Sequence, residues 1–506
     1  MMQLSRSAGE DGSAMSSPSR AGQTRSFATI LLIELWERFG YYGMAGLLVL
    51  FMVQKFGIED ARVNLMWGSF TALIFAAPAA GGWIGDKVLG AKRTMTLGAS
   101  TLALGYLLLS MSGESLHSVY LALGMIVVGN GLFKANAANI VRRIYENEDA
   151  KIDSAFTLYY MVNNIAGTVS VLLTPWIKDH WGWHVAFATC CAGMALGLAS
   201  YFMMMRTLAN AGSLPDAHPL RWGRLAMVLG GSCVALFIVA FVIQHSNIAI
   251  ACVCAGGVVT LGIFGYMIAS GTKSERAGLI AALILVAEAL LFYIFYQQVA
   301  TSLTLFALRN VDWNQTLFGK HLFTWSPAQY PALNAIWILL LSPPLAWVYR
   351  HLGKHGHDLP VAAKFAIGFA AVAAAFFIFG MSGHEAVNGK VSSWFMIAGY
   401  GVYSLGELLI AALGLAMISR YVPSRMSGFM MGAFFIAAGI AEFLGSVIAS
   451  SASIPEHSVD PLTSLAIYTK LFNHLGLLAM GGMMLAIVLL PLMNRLSALH
   501  GSSPEH

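Results

Sequence analysis

The sequence predicts an all-α polytopic membrane protein of about fourteen transmembrane helices. Two observations carry this. Of 506 residues, 58% are hydrophobic and only 10% are charged, against roughly 25% charged in a soluble domain, and mean hydropathy is +0.69. The apolar residues also gather into runs of about twenty, the length a helix needs to cross the hydrocarbon core. The predicted spans are 27–53, 64–85, 93–112, 118–140, 155–177, 183–206, 225–245, 248–270, 277–300, 333–350, 361–382, 393–417, 426–451 and 465–492. Residues 1–26 are polar and Ser/Gly-rich and are expected to form a disordered cytoplasmic tail, with 496–506 as a second tail. No secretory signal peptide is visible, because the first apolar run is too long and too charged.

An even number of spans puts both termini on one side, and charge decides which. With the N-terminus inside, about twenty of the 29 Lys and Arg fall in cytoplasmic segments and about seven outside, while Arg38 and Lys134 lie within the membrane. Both termini are therefore expected in the cytoplasm. The net charge of +5 reports this orientation and not nucleic-acid binding. The five cysteines all lie in apolar runs and are odd in number, which predicts small buried hydrophobes and not a disulfide framework or zinc site.

The first span contains Glu34-Leu35-Trp36-Glu37-Arg38-Phe39-Gly40-Tyr41-Tyr42. Three ionisable residues in a spanning helix are expensive to bury and are expected to face the protein interior or a water-filled cavity. Glu34 and Glu37 are three apart, and Glu34 and Arg38 four apart, so the three share a face and neutralise one another.

After the second span the chain reads Gly82-Trp83-Ile84-Gly85-Asp86-Lys87-Val88-Leu89-Gly90-Ala91-Lys92-Arg93. This resembles the signature loop of the major facilitator superfamily. A looser counterpart, Tyr349–Lys354, follows the span at 333–350 and hints at an internal repeat. The expected organisation is a major facilitator fold: a six-helix bundle over 27–209, two inserted helices with linkers over 210–275, and a second six-helix bundle over 276–495.

Other polar residues stand deep in spans: Lys134 in the fourth, Asn164 in the fifth, Glu288, Gln297 and Gln298 in the ninth, Asn334 at the start of the tenth, Glu407 mid-way along the twelfth and Glu442 in the thirteenth. The buried bases Arg38 and Lys134 belong to the first bundle, and the acids Glu288, Glu407 and Glu442 to the second. A cavity between the bundles is thus expected to be basic on one wall and acidic on the other, which suits a small zwitterion. Arg38 grips a carboxylate with two hydrogen bonds and Lys134 acts as a point charge. Glu407 meets the ammonium, with Asn164 and Asn334 as neutral partners. Burial favours a neutral carboxyl and a neighbouring cation favours the charged form. If Glu37 pairs with Lys134 in the empty site, a substrate carboxylate that takes Lys134 leaves Glu37 to accept a proton. Glu34 is the alternative proton carrier.

The segment Glu34-x-x-Glu37-Arg38-Phe39-x-Tyr41-Tyr42 matches the E-x-x-E-R-F-x-Y-Y motif, and the chain resembles the proton-dependent oligopeptide transporter family. Gly129–Lys134, Tyr159–Asn164, Thr301–Asn310 and the Glu407 helix are similar to further landmarks. The resemblance covers nearly the whole chain outside its tails. It implies uptake of di- and tripeptides driven by protons, with alternating access, in a bacterial cytoplasmic (inner) membrane. The protein is then expected to be no enzyme, to work as a monomer, and to use no cofactor beyond the proton. It further implies proton coupling through Glu34, Glu37, Arg38 and Lys134, and substrate binding by Arg38, Tyr42, Lys134, Asn164, Asn334 and Glu407.

Departures from the family pattern include Phe75 in place of a site-lining Tyr and Gln297 in place of a coupling Glu. Thr304 replaces a common Asn, Ala135 and Ala412 replace frequent prolines, and Asn163-Asn164-Ile165-Ala166 departs from I-N-x-G. Glu442 has no assigned place. Competing readings are a drug/proton antiporter of the same superfamily, which leaves the first-span motif unexplained, and a non-transporting peptide sensor. A membrane enzyme lacks an H-E-x-x-H or G-x-S-x-G in a suitable place, and the cluster His351, His355, His357 and Asp358 reads as a solvated loop.

Overall fold

A computed structural model describes residues 20–145, 149–209, 211–354, 361–422, 427–452, 454 and 460–501. Among them, thirteen helical stretches are long and apolar enough to cross a membrane, and a further helix of 29 residues runs over Ser393–Tyr421. The first bundle comprises α1 (Arg20–Phe56), α2 (Asp60–Trp83), α3 (Ala91–Met111), α4 (Leu116–Ile144), α5 (Asp149–Trp181) and α6 (Trp183–Met204). The inserted pair is α7 (Trp222–Gln244) and α8 (Ser246–Ser270). The second bundle comprises α9 (Lys273–Tyr296), the short α10 (Ser302–Asn310), α11 (Ala332–Lys354), α12 (Val361–Met381), α13 (Ser393–Tyr421), α14 (Ser427–Ser450) and α15 (Pro461–Gly501).

The two bundles repeat one packing device. With no hydrophobic drive between helices in lipid, close approach needs small residues. In the first bundle Gly98 of α3 and Gly129 of α4 face each other so closely that a Cβ on Gly98 would lie 2.7 Å from the Gly129 carbonyl oxygen. In the second, Gly368 of α12 and Gly406 of α13 meet in the same way, with a Cβ on Gly406 falling 2.8 Å from the Gly368 carbonyl oxygen. Across the molecule α2 packs against α14, and α5 against α11. The helix second in one bundle thus meets the helix fifth in the other, both ways round, as a twofold repeat requires.

The spans differ from expectation at their ends. The expected disordered tail over 1–26 is corrected in part. Residues 20–26 belong to α1, and Ser26 Oγ and Thr29 Oγ1 hydrogen-bond Thr207 beyond the end of α6; residues 1–19 lie outside the described residues. Likewise α15 runs on through 496–501. Hydropathy registers only the apolar part of a helix, whereas tertiary contacts carry the coil further.

The ninth span is broken. α9 gives way at Gln297–Val299 to a 3-10 turn before α10. Side chains take up freed carbonyls, Thr301 Oγ1 donating to that of Gln297 and Thr304 Oγ1 to that of Val299, while Ser302 Oγ donates to the Gln298 side chain at Oε1. α10 leads into an exposed antiparallel hairpin, Asn314–Leu317 with Lys320–Thr324, turned by Phe318 and Gly319 at positive φ.

The signature loop is a π-helical turn, Ile84–Val88, closed by Gly90 at φ 104°. Asp86 pairs with Arg143 at 3.5 Å and accepts from Asn139 Nδ2 at 2.7 Å. Its expected counterpart, Tyr349–Lys354, is the last part of α11 and not a loop. His355, His357 and Asp358 lie outside the described residues.

Only Cys190 is buried; Cys233, Cys252 and Cys254 are exposed on α7 and α8. The expectation that all five are buried hydrophobes is corrected, because these two helices turn much of their apolar surface outward.

Candidate functional site

The cross-bundle contacts gather toward the end where α1 finishes and α2 begins. Arg309 of α10 forms a bidentate pair with Asp60, in the first turn of α2, with Nη2 2.7 Å from Oδ1. Tyr468 of α15 donates to Asp60 Oδ2 at 3.3 Å. Asp60 suits its place, since a helix N-terminus favours an anion. Deeper, Ser450 Oγ donates to the Ala61 carbonyl and Gln297 Nε2 to Thr71 Oγ1 and Ser446 Oγ. Gly68 lies against Ser446, Gly439 against Ala72, and Phe75 against Tyr293. On the other flank Gln329 Nε2 donates to the Leu172 carbonyl. Toward the opposite end, Tyr160 of α5, within electrostatic reach of Glu407 and Tyr42, is 62% exposed.

Removing Asp60's charge strands a half-paired arginine in this seam. Breaking a buried pair is worth about 3–5 kcal/mol and an exposed one under about 1. Arg309 is partly exposed, so about 1–2 kcal/mol is expected, roughly tenfold in an equilibrium. In a background lacking the native cysteines, Asp60→Asn should raise the maleimide reaction rate of a cysteine placed at Ser450 about tenfold. An unchanged rate would remove this pair from the seal.

At the centre of the first bundle the charged residues of α1 form a closed cluster. Arg38 Nε donates to Glu37 Oε2 at 2.5 Å and Nη2 to Oε1 at 2.8 Å. Glu34 Oε1 lies 3.6 Å from Arg38 Nε. Asn130 of α4 donates to Glu37 Oε1 at 3.3 Å. The guanidinium lies 5.1 Å from the centre of the Tyr41 ring and 5.9 Å from that of Tyr42, within range of a cation–π attraction. Tyr42 also packs on Gly167 of α5.

The expected Glu37–Lys134 pair is not formed. Lys134 of α4 is partly buried, within electrostatic reach of Glu34, Glu37 and Arg38, yet it has no ion pair or hydrogen bond among the described residues. Helical spacing favours partners three or four apart and gives no weight to neighbours; the length of Arg38 lets its fork turn back onto the adjacent Glu37.

In the second bundle Asn334 of α11 donates to Glu407 Oε2 of α13 at 2.7 Å and to Ser404 Oγ at 3.1 Å. The structure brings these two predicted residues together. Asn164 of α5 lies part-way across, its amide nitrogen donating to the Tyr160 carbonyl. Glu442 of α14 is buried near Tyr41, Tyr293, Tyr296 and Tyr403.

Glu288 does not join the acidic wall. It is 2% exposed, neither carboxyl oxygen has a hydrogen-bond partner among the described residues, and it shares a helix face with Leu285, Phe292 and Phe295 inside the second bundle. Three participants escaped the sequence reading. Asn130 stood in a stretch already singled out and was a visible polar residue in a span. Asp60 and Tyr468 gave no signal, since their partner Arg309 is 249 residues from Asp60.

Two six-helix bundles that meet second helix to fifth, with buried charge on α1 and a polar pair between α11 and α13, define a membrane transporter of the major facilitator type. The chain belongs to the POT family, whose model matches residues 92–465. It is 38% identical over 491 residues to dipeptide and tripeptide permease B of Aliivibrio fischeri, covering 96% of this chain and 97% of that one. It is also 38% identical over 479 residues to dipeptide and tripeptide permease A of Escherichia coli, covering 94% of each. Among solved structures it superposes on tetrameric PepTSo2 with a TM-score of 0.85 at 53% identity, covering 94% of this chain and 99% of that one. A structure described as a bacterial homologue of the human drug peptide transporters PepT1 and PepT2 matches with a TM-score of 0.84 at 54% identity, over 94% and 99%.

Proposed function

We propose that this protein is a proton-coupled symporter that imports di- and tripeptides by alternating access. The observation that carries this is the placement of opposite charge on the two bundles, with Tyr42 within electrostatic reach of both: Arg38, with Lys134 unpaired beside it among the described residues, in the first bundle, and the Asn334–Glu407 pair in the second. A dipeptide carries its carboxylate and ammonium at the matching ends. The relatives named dipeptide and tripeptide permeases support the same reading.

The observed pairing changes the coupling scheme. Arg38, not Lys134, neutralises Glu37 in the empty site. The peptide carboxylate first meets the free Lys134 and then competes with Glu37 for the Arg38 fork. Glu37, displaced into a buried setting, takes the proton; Glu34 stands 3.6 Å from Arg38 as the alternative carrier. Tyr42 and Asn164 line the path between the two ends, and Asn334 holds Glu407 toward the peptide ammonium. The proton is the coupling ion and no other cofactor enters the scheme.

The chain sits in the bacterial cytoplasmic membrane with both termini in the cytoplasm, as its basic loops favour. One chain carries both bundles and a whole cavity, which makes the monomer the transport unit.

The test is uptake of labelled dialanine into proteoliposomes. Accumulation above the external concentration is expected only with an inward proton gradient. Equilibration unaffected by the gradient would remove proton coupling, and binding without any uptake would make the protein a peptide sensor.

A further inference from the structure

Outside the transport cavity, the linker between α6 and α7 folds back onto the signature loop. Ser213 Oγ accepts from the Ala91 N–H and Asp216 Oδ2 from the Lys92 N–H, so both side chains cap the start of α3. Arg93 donates to the carbonyls of Pro215 and His218, and Arg224 to that of Val88. These contacts enclose a pocket of about 250 Å³ whose lining includes Arg93, His218, Arg221 and Arg224.

Its electrostatics are one-sided. Among the described residues no carboxylate lines it. Asp216, the neighbouring acid, is turned to the α3 N-terminus, where Oδ2 also accepts from the Ser213 N–H. Arg93 and Arg224 bond only neutral carbonyls in this structure, and Arg221 is exposed at the start of α7. Three guanidinium groups, each a rigid fork of donors, thus converge without an anion to answer them.

What adjoins the pocket names the anion's source. Trp222 is 76% exposed directly beside Arg221, as befits a residue at the membrane–water boundary. From there α7 presents a bare apolar surface through Met227, Leu229 and Val234. Charged groups at a membrane boundary, followed by an apolar path into the bilayer, match the two halves of a phospholipid.

We propose that this pocket binds the phosphate headgroup of one anionic phospholipid, whose acyl chains lie along α7. The arginines supply the charge and the linker holds them in place. The site is independent of the peptide cavity, so its failure leaves the transport reading standing.

The test is native mass spectrometry of the detergent-purified protein titrated with phosphatidylglycerol, and separately with phosphatidylcholine. Wild type is expected to retain one phosphatidylglycerol under conditions that strip phosphatidylcholine. At about 1 kcal/mol per basic residue, Arg221→Gln/Arg224→Gln should weaken retention roughly thirtyfold. Arg221→Lys/Arg224→Lys should keep most of it, and so should Arg142→Gln/Arg495→Gln, which removes equal charge elsewhere. Three results would overturn the proposal: equal retention by wild type and the double glutamine variant, equal loss in the Arg142/Arg495 control, or displacement of the lipid by inorganic phosphate at equal concentration, which would make this a site for a free anion.

Discussion

Glu37→Gln is expected to yield a protein that exchanges dialanine across the membrane but does not accumulate it. In the structure Glu37 holds the Nε–Nη2 edge of the Arg38 fork and accepts a further hydrogen bond from Asn130. A glutamine of the same shape keeps one acceptor and cannot change charge. Peptide can still displace it from Arg38, but the displacement no longer creates a base. One pH unit is worth about 1.36 kcal/mol per proton. With one proton per peptide, a unit gradient therefore sustains about tenfold accumulation in wild type. The variant should settle at a ratio of one while counterflow of labelled dialanine continues. Glu34→Gln, measured beside it, should keep its accumulation. A reversed outcome, with coupling lost in Glu34→Gln and kept in Glu37→Gln, would transfer the proton to the residue 3.6 Å from Arg38.

The second large effect is expected at the other end of the peptide. Glu407 is oriented by Asn334, itself fixed by Ser404, whose hydroxyl donates to the Asn334 carbonyl. Charge-assisted hydrogen bonds are worth about 1.5–3 kcal/mol. Glu407→Gln should therefore raise the KM for dialanine by roughly ten- to a hundred-and-fiftyfold. The informative comparison is N-acetyl-dialanine, which has no ammonium. Its already weak transport should change little in the variant. Were both substrates to lose equally, Glu407 would be a packing residue of α13 and the ammonium would be held elsewhere.

How much of this was readable in advance follows from what each residue does to its own stretch of chain. The cluster on α1 was legible because charge inside an apolar run stands out without knowledge of anything else. Asn334 and Glu407 were legible for the same reason, and the structure joins them. Their pairings were harder. Arg38 choosing Glu37 over a more distant partner depends on rotamers, and Glu288 standing apart from the cavity depends on which side of α9 meets α12 and α13. Asp60 and Arg309 looked like ordinary loop-end charges, since each lies near the end of an apolar run. The break between α9 and α10 left no hydropathy signal, because the residues that replace its backbone bonds, Thr301 and Thr304, are common within spans.

The glycine crossings at Gly98–Gly129 and Gly368–Gly406 bear on how work is partitioned. Backbone pressed against backbone leaves each half of the molecule with little internal compliance. The seam combines one such crossing, Gly439 on the Ala72 backbone, with side-chain bonds between the bundles, the bidentate Arg309–Asp60 pair among them. Two stiff arms joined along one seam behave as a lever. Energy released within one arm is not dissipated in bending it, and the barrier to turnover resides in the seam contacts that must part.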